Sequence, residues 1–86
     1  MDFVFSKHAE EQLIRRSLDR SMVEAVVLNP EQILADENDD AITVYQSIVK
    51  EHDGVFLYRV FVNTKSLPNT VATLYKTTKI AKYYES

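Results

Sequence analysis

The stretch AITVYQSIVK-EHDG-VFLYRVFVN, Ala41 to Asn63, decides the fold. Ala41 to Lys50 is rich in β-branched residues and reads as a strand. Val55 to Asn63 reads as a second. Between them, Glu51-His52-Asp53-Gly54 carries Asp-Gly, the strongest short-range hairpin signal. Two long antiparallel strands therefore form the centre. Downstream, Thr64 to Asn69 reads as a loop containing Pro68, and Thr70 to Lys76 as a last strand. Period-two alternation there sends Val71, Thr73 and Tyr75 to one face and Ala72, Leu74 and Lys76 to the other. Thr77 to Tyr84 reads as a short helix capped by Thr77 or Thr78, or as a ragged extension.

Upstream of the hairpin, Asp36 to Asp40 is an acidic turn and Ile33-Leu34-Ala35 a weak strand. Met22 to Leu28 is almost continuously apolar and predicts a buried helix, capped by Asp19 or Ser21 and closed by Asn29-Pro30. Ser21 to Glu24 fits a capping box. Lys7 to Ser17 predicts a first helix, capped by Ser6, with Ala9, Leu13 and Ile14 as its apolar stripe. Phe3-Val4-Phe5 reads as an opening strand. The order β-α-α-β-β-β-β predicts one α+β domain over residues 1–86, an antiparallel sheet with both helices on one face.

Composition removes many functions. Eighty-six residues hold one core and no dinucleotide-binding fold. There is no Cys, so neither disulfides nor thiolate metal sites arise, and no metal or cofactor is expected. Gly54 is the only glycine, which excludes phosphate-cradling glycine loops. No apolar run approaches the roughly 20 residues of a membrane span, and Met1-Asp2 opens no signal peptide. A soluble cytoplasmic protein is the expectation. The net charge of −3 is unevenly spread. Residues 31–53 carry seven acids and one base, whereas residues 54–86 carry five bases and one acid. The basic last third leaves room for a local anion site.

Three groups of side chains suit chemistry. On the first helix His8, Gln12 and Arg15 fall within about 60° of each other, with Arg16 at the margin. An imidazole for proton transfer would then stand beside guanidiniums for phosphate. A solvated helix face is the plain alternative. On the last strand Thr73 and Tyr75 would share the open sheet face and bind a phosphate or stack a base, although both are ordinary strand residues. Arg59 sits in an apolar strand beside Leu57 and Phe61, so it is either salt-bridged or an anion ligand. Lys76, Lys79 and Lys82 recur every three residues, as a solvated face or a phosphate-attracting one.

The stretch Ser6-Lys7-His8-Ala9, then Leu13, Arg16 and Leu18, then Met22-Val23-Glu24-Ala25-Val26 and Asn29-Pro30-Glu31, resembles domain-of-unknown-function family 4258. Thr73-Leu74-Tyr75-Lys76-Thr77-Thr78-Lys79 looks like that family's closing segment. Gln12 stands where the family has its first arginine, and Ser17 where it has a glycine. The family is similar to the RelE/ParE and BrnT toxins of bacterial toxin–antitoxin systems. The resemblance implies a RelE-like domain that meets RNA or the ribosome, and an antitoxin protein as partner. It implies a metal-independent ribonuclease acting by 2′-hydroxyl attack. His8, Arg16, Arg59 and Tyr75 would be catalytic. Gln12, Arg15, Thr73, Lys76 and Lys79 would bind substrate. That requires His8 and Tyr75 within one nucleotide of each other. The competing expectation is a non-catalytic interaction module of the same fold that binds a protein partner.

Overall fold

The computed structural model describes residues 1–86. Its elements are β1 (Phe3–Phe5), α1 (Lys7–Arg15), α2 (Arg20–Leu28), β2 (Gln32–Ala35), β3 (Ile42–Glu51), β4 (Gly54–Asn63), β5 (Asn69–Thr77) and α3 (Ile80–Tyr83). The hairpin forms as the Asp-Gly signal demands. β3 pairs antiparallel with β4 from Ile42↔Asn63 to Glu51↔Gly54. His52 and Asp53 make the two-residue turn, and Gly54 opens β4 at φ 152°, a conformation costly for any residue with a Cβ.

The five strands form one sheet in the order β1-β5-β4-β3-β2. The domain is α+β, as expected, but its sheet is mixed. β1 runs parallel to β5 (Phe3↔Asn69 to Phe5↔Val71), which corrects the all-antiparallel expectation. The hairpin meander fills every other position, so β1 takes the free edge of β5. Ser6 locks it there. Its N–H donates to the Val71 carbonyl (2.9 Å) and its hydroxyl to the Ala72 carbonyl (3.1 Å). The same hydroxyl accepts from the Ala9 N–H (3.0 Å) as the N-cap of α1. One serine thus ties an edge strand, a helix start and the last strand together.

Both long helices cover one sheet face. Ala9 and Leu13 of α1 and Val23, Val26 and Val27 of α2 pack on Tyr58, Val60, Val62, Val71 and Leu74. Each such aliphatic side chain, fully buried, stabilises the fold by roughly 1.5–3 kcal/mol. Val71 and Leu74 face the same core because the β4–β5 pairing shifts register between Phe61 and Val62. The bulge turns Val71 inward, against the strict alternation expected from sequence. Asp19 rather than Ser21 caps α2, accepting from the Ser21 N–H (2.9 Å), so the Ser21–Glu24 capping box does not form.

α1 stops two residues short of the predicted Ser17. The Ser17 N–H donates to the Ile14 carbonyl (3.2 Å) and the Leu18 N–H to the Leu13 carbonyl (2.9 Å), a Schellman closure. It requires Ser17 at φ 52°, the chain's one non-glycine residue with positive φ. Left-handed backbone costs an L-residue roughly 1–2 kcal/mol, against roughly 0.5–1 kcal/mol of extra unfolded-state entropy for glycine. Ser17→Gly is therefore expected to raise stability by about 0.5–1 kcal/mol in urea unfolding. A loss of stability would contradict this account of the helix end.

Candidate functional site

The second sheet face is not bare. α3 and the residues after it lie across its centre, which departs from the open face expected from sequence. Gln46, fully buried, donates through Nε2 to Gln32 Oε1 (2.7 Å) and to the Tyr83 carbonyl (3.2 Å). Gln32 Oε1 also accepts from the Glu85 N–H (3.1 Å), and Gln32 Nε2 donates to the Glu85 carbonyl. The Tyr84 hydroxyl reaches Glu31 Oε1 (3.2 Å). These bonds hold the C-terminal segment over β2 and β3, and Val44 and Leu57 are buried on this side.

Arg59 stands at the middle of that face. Register places Gln46, Arg59 and Tyr75 in one row across β3, β4 and β5. The Arg59 Nε donates to Gln46 Oε1 and its Nη1 to the Tyr75 hydroxyl, both at 2.9 Å. The guanidinium carbon lies 4.3 Å from the Tyr83 ring centroid and 5.3 Å from that of Phe61. Tyr75 stacks on Phe61 at 5.9 Å and meets Tyr83 edge-on at 6.4 Å. The ion pairs of the chain are Arg20–Glu10, Lys65–Asp40 and Lys76–Glu51, and none involves Arg59. A half-buried cation is thus held by neutral groups and aromatic faces alone. A cavity of about 330 Å³ opens beside it, between the turn after β2 and the C-terminal segment. The Tyr83 phenol is held below its ordinary value by the Lys82 ammonium, then by the Tyr75 hydroxyl, with the Arg59 charge adding to both.

Residues 5–76 match the family described as Domain of unknown function (DUF4258). The chain belongs to this family. No curated protein and no solved structure matches the chain. The match runs from the last residue of β1 through most of β5, so the Gln46–Arg59–Tyr75 row lies inside the DUF4258 region and Tyr83 outside it.

The DUF4258 domain divides the residues singled out from sequence between two faces. Arg59, Thr73 and Tyr75 share the second face, with Thr73 opposite Phe61. His8, Gln12 and Arg15 belong to α1 and Arg16 is its C-cap, in the helix layer across the sheet. His8 is exposed and makes no side-chain hydrogen bond. Gln12 is buried and accepts from Arg16 Nε (2.6 Å). His8 and Tyr75 are therefore separated by the sheet, and one site containing both does not form. The alternation that sends Leu74 into the core sends Tyr75 away from it. Lys79 is exposed at the start of α3. Lys82, the last of the three lysines spaced by three, lines the cavity beside Arg59. Gln46 and Tyr83 were not singled out, although Gln46 is the lone amide of its strand. No three His, Asp or Glu side chains cluster as a metal site, and no helix is long and apolar enough to cross a membrane.

Lys76 is also removed from the site. It lies on the helix side, opposite Tyr58, with its ammonium 2.6 Å from Glu51 Oε1 and 4.2 Å from the Phe56 ring centroid. The Tyr58 hydroxyl donates to the other Glu51 oxygen. Burial, then this bond, pushes Tyr58 upward, so it stays protonated. Lys76, then Tyr58, hold Glu51 below its ordinary value near 4.5. A carboxylate lowered by folding stabilises above that ordinary value and loses its effect as pH falls through the folded one. Glu51→Gln is expected to lower the thermal midpoint at pH 7, and the gap to wild type should narrow as the pH falls below the ordinary value near 4.5 and through the lower folded one. A gap unchanged from pH 7 to pH 3 would remove this role for Glu51.

Proposed function

We propose that this domain is directed at RNA, in the manner of the RelE/ParE and BrnT toxins it resembles, and that it works from the Arg59 face. The observation that carries the reading is a half-buried guanidinium with no carboxylate partner, set among three aromatic rings. A phosphodiester supplies the missing negative charge, and charge-assisted bonds to guanidinium are strong and directional. Unpaired bases supply flat faces for Phe61, Tyr75 or Tyr83. Lys79 and Lys82 add positive charge nearby in sequence.

The catalytic form of this reading needs no histidine. The 2′-oxygen bonds to phosphorus while the bond from phosphorus to the 5′-oxygen breaks. The 2′-hydroxyl proton goes to a base and the 5′-oxygen gains one from an acid. Tyr83 and Lys82, which lie together beside Arg59, are the groups this face offers for those transfers. Arg59 stabilises charge at phosphorus. The second reading is the non-catalytic module that binds a protein partner, an antitoxin or a target. It is favoured by the separation of His8 from Tyr75, which takes the imidazole out of the site.

Binding is measured by fluorescence anisotropy on single-stranded RNA, with circular dichroism confirming the fold of each variant. One charge-assisted contact is worth about tenfold or more in affinity. Arg59→Ala is expected to lose that factor, Arg59→Lys to recover part of it, and His8→Ala to stay within about twofold of wild type. Induced expression in a bacterial host, with growth and total RNA followed together, separates the two readings. RNA loss relieved by Arg59→Ala supports cleavage, and arrest with intact RNA supports target blocking. Full RNA affinity in Arg59→Ala overturns the proposal.

A further inference from the structure

We infer that the cavity beside Arg59 reads a guanine base, with Asp36 and Glu37 as the specificity-determining residues. This inference rests on the reading of Arg59 as a phosphate ligand and names what lies next to that phosphate. The cavity's lining brings together two charged groups that do not neutralise each other. Arg59 and Lys82 contribute cations from β4 and α3. Asp36 and Glu37 contribute carboxylates from the turn after β2, and Glu85 adds a third from the C-terminal segment. No ion pair of the chain joins the two sets. Asp36 is half-buried, and its backbone is pinned by the Asp36 N–H bond to the Ile42 carbonyl (3.3 Å). One of its oxygens, Oδ2, accepts from the Asn38 N–H (3.2 Å). Its other oxygen and both oxygens of Glu37 accept nothing from the protein.

Unpaired cations and unpaired carboxylates around one cavity suit a ligand that is anionic at one end and a hydrogen-bond donor at the other. The rings of Phe61 and Tyr83 line the same space and suit a flat middle. A nucleotide has this order of parts: phosphate, then a planar base with a polar edge. At about 330 Å³ the cavity is at the small end of the roughly 300–1,000 Å³ range of ligand pockets, enough for one base and its phosphate. The polar edge selects the base. A carboxylate only accepts, and it accepts best from two parallel donors. Guanine presents N1–H and the N2 amino group side by side. Adenine and cytosine offer one amino group beside a ring nitrogen acceptor. Uracil offers one N–H between two carbonyls. Each of these three sets a lone pair against the carboxylate, so guanine is favoured.

The same chemistry could come from a guanosine within RNA or from a free guanine nucleotide. The test uses labelled UUGUU, UUAUU, UUCUU and UUUUU oligoribonucleotides, with GMP as competitor, on the full chain. Removing a negative charge raises attraction for any phosphate, so the readout is the ratio of affinities and not one affinity. UUGUU is expected to bind about tenfold or more tightly than the other three, the scale of one bidentate base contact. Asp36→Asn or Glu37→Gln should bring that ratio close to one, since an amide offers a donor where guanine needs an acceptor. Competition by GMP at concentrations where UMP has no effect also supports the base assignment, and GMP binding without RNA binding identifies the free nucleotide as source. Equal affinity for all four RNAs, or a ratio unchanged in both variants, overturns the guanine assignment and leaves the phosphate reading standing. No binding to any RNA or to GMP overturns the phosphate reading itself.

Discussion

A guanidinium in the middle of a five-stranded sheet has to be held by something, and here neutral groups hold it. Arg59 lies in the third strand of the order β1-β5-β4-β3-β2, with Gln46 on one side and Tyr75 on the other. Removing a charge from water is costly unless bonds and partners replace the water. An amide oxygen, a phenol oxygen and three ring faces replace part of it. They supply hydrogen bonds and polarisable surface but no opposite charge. The site therefore keeps an unmet attraction for anions, which is the physical basis of its functional reading.

The rest of the second face follows from keeping that row in place. Gln46 gives its oxygen to Arg59 and its nitrogen to Gln32 and the Tyr83 carbonyl. Reversing the amide would set its oxygen against the two acceptors and its nitrogen against the Arg59 Nε–H donor, so the orientation of the guanidinium is coupled to the docking of the C-terminal segment. That segment brings Tyr83 over Arg59 and Lys82 to the cavity. The other face has a different task. It is closed by aliphatic packing between α1, α2 and the sheet, and its buried tyrosine, Tyr58, is satisfied by Glu51 beside Lys76. Core and site are thus built on opposite sides of the same strands.

Much of this was legible in local signals. The Asp-Gly turn located the central hairpin, Ser6 and Asp19 located two helix starts, and Leu74 and Tyr75 took the faces that alternation assigns them. What failed was non-local. The parallel pairing of β1 depends on which edge the meander leaves free. The inward turn of Val71 depends on a bulge that only β4 reveals. The end of α1 at Arg15 rests on a left-handed serine, where the usual sequence signal is glycine. His8 drew attention because an imidazole suits proton transfer, but its chemistry carries no information on which side of the sheet it stands. Tyr83 was hidden in a short segment with no helix cap of its own, and its position is set by Gln46 and Gln32 from far along the chain.

The central claim is that an anion is bound from the Arg59 face and not from α1. Proton–nitrogen correlation spectra that resolve the arginine Nε–H and glutamine amide signals test it directly, recorded during titration with a short single-stranded RNA. The account predicts that the Arg59 Nε–H and the Gln46 side-chain amide shift first, together with the backbone of α3. The α1 signals from Lys7 to Arg15, His8 included, should stay in place. Shifts centred on α1 with the Arg59 and Gln46 signals unmoved would contradict it.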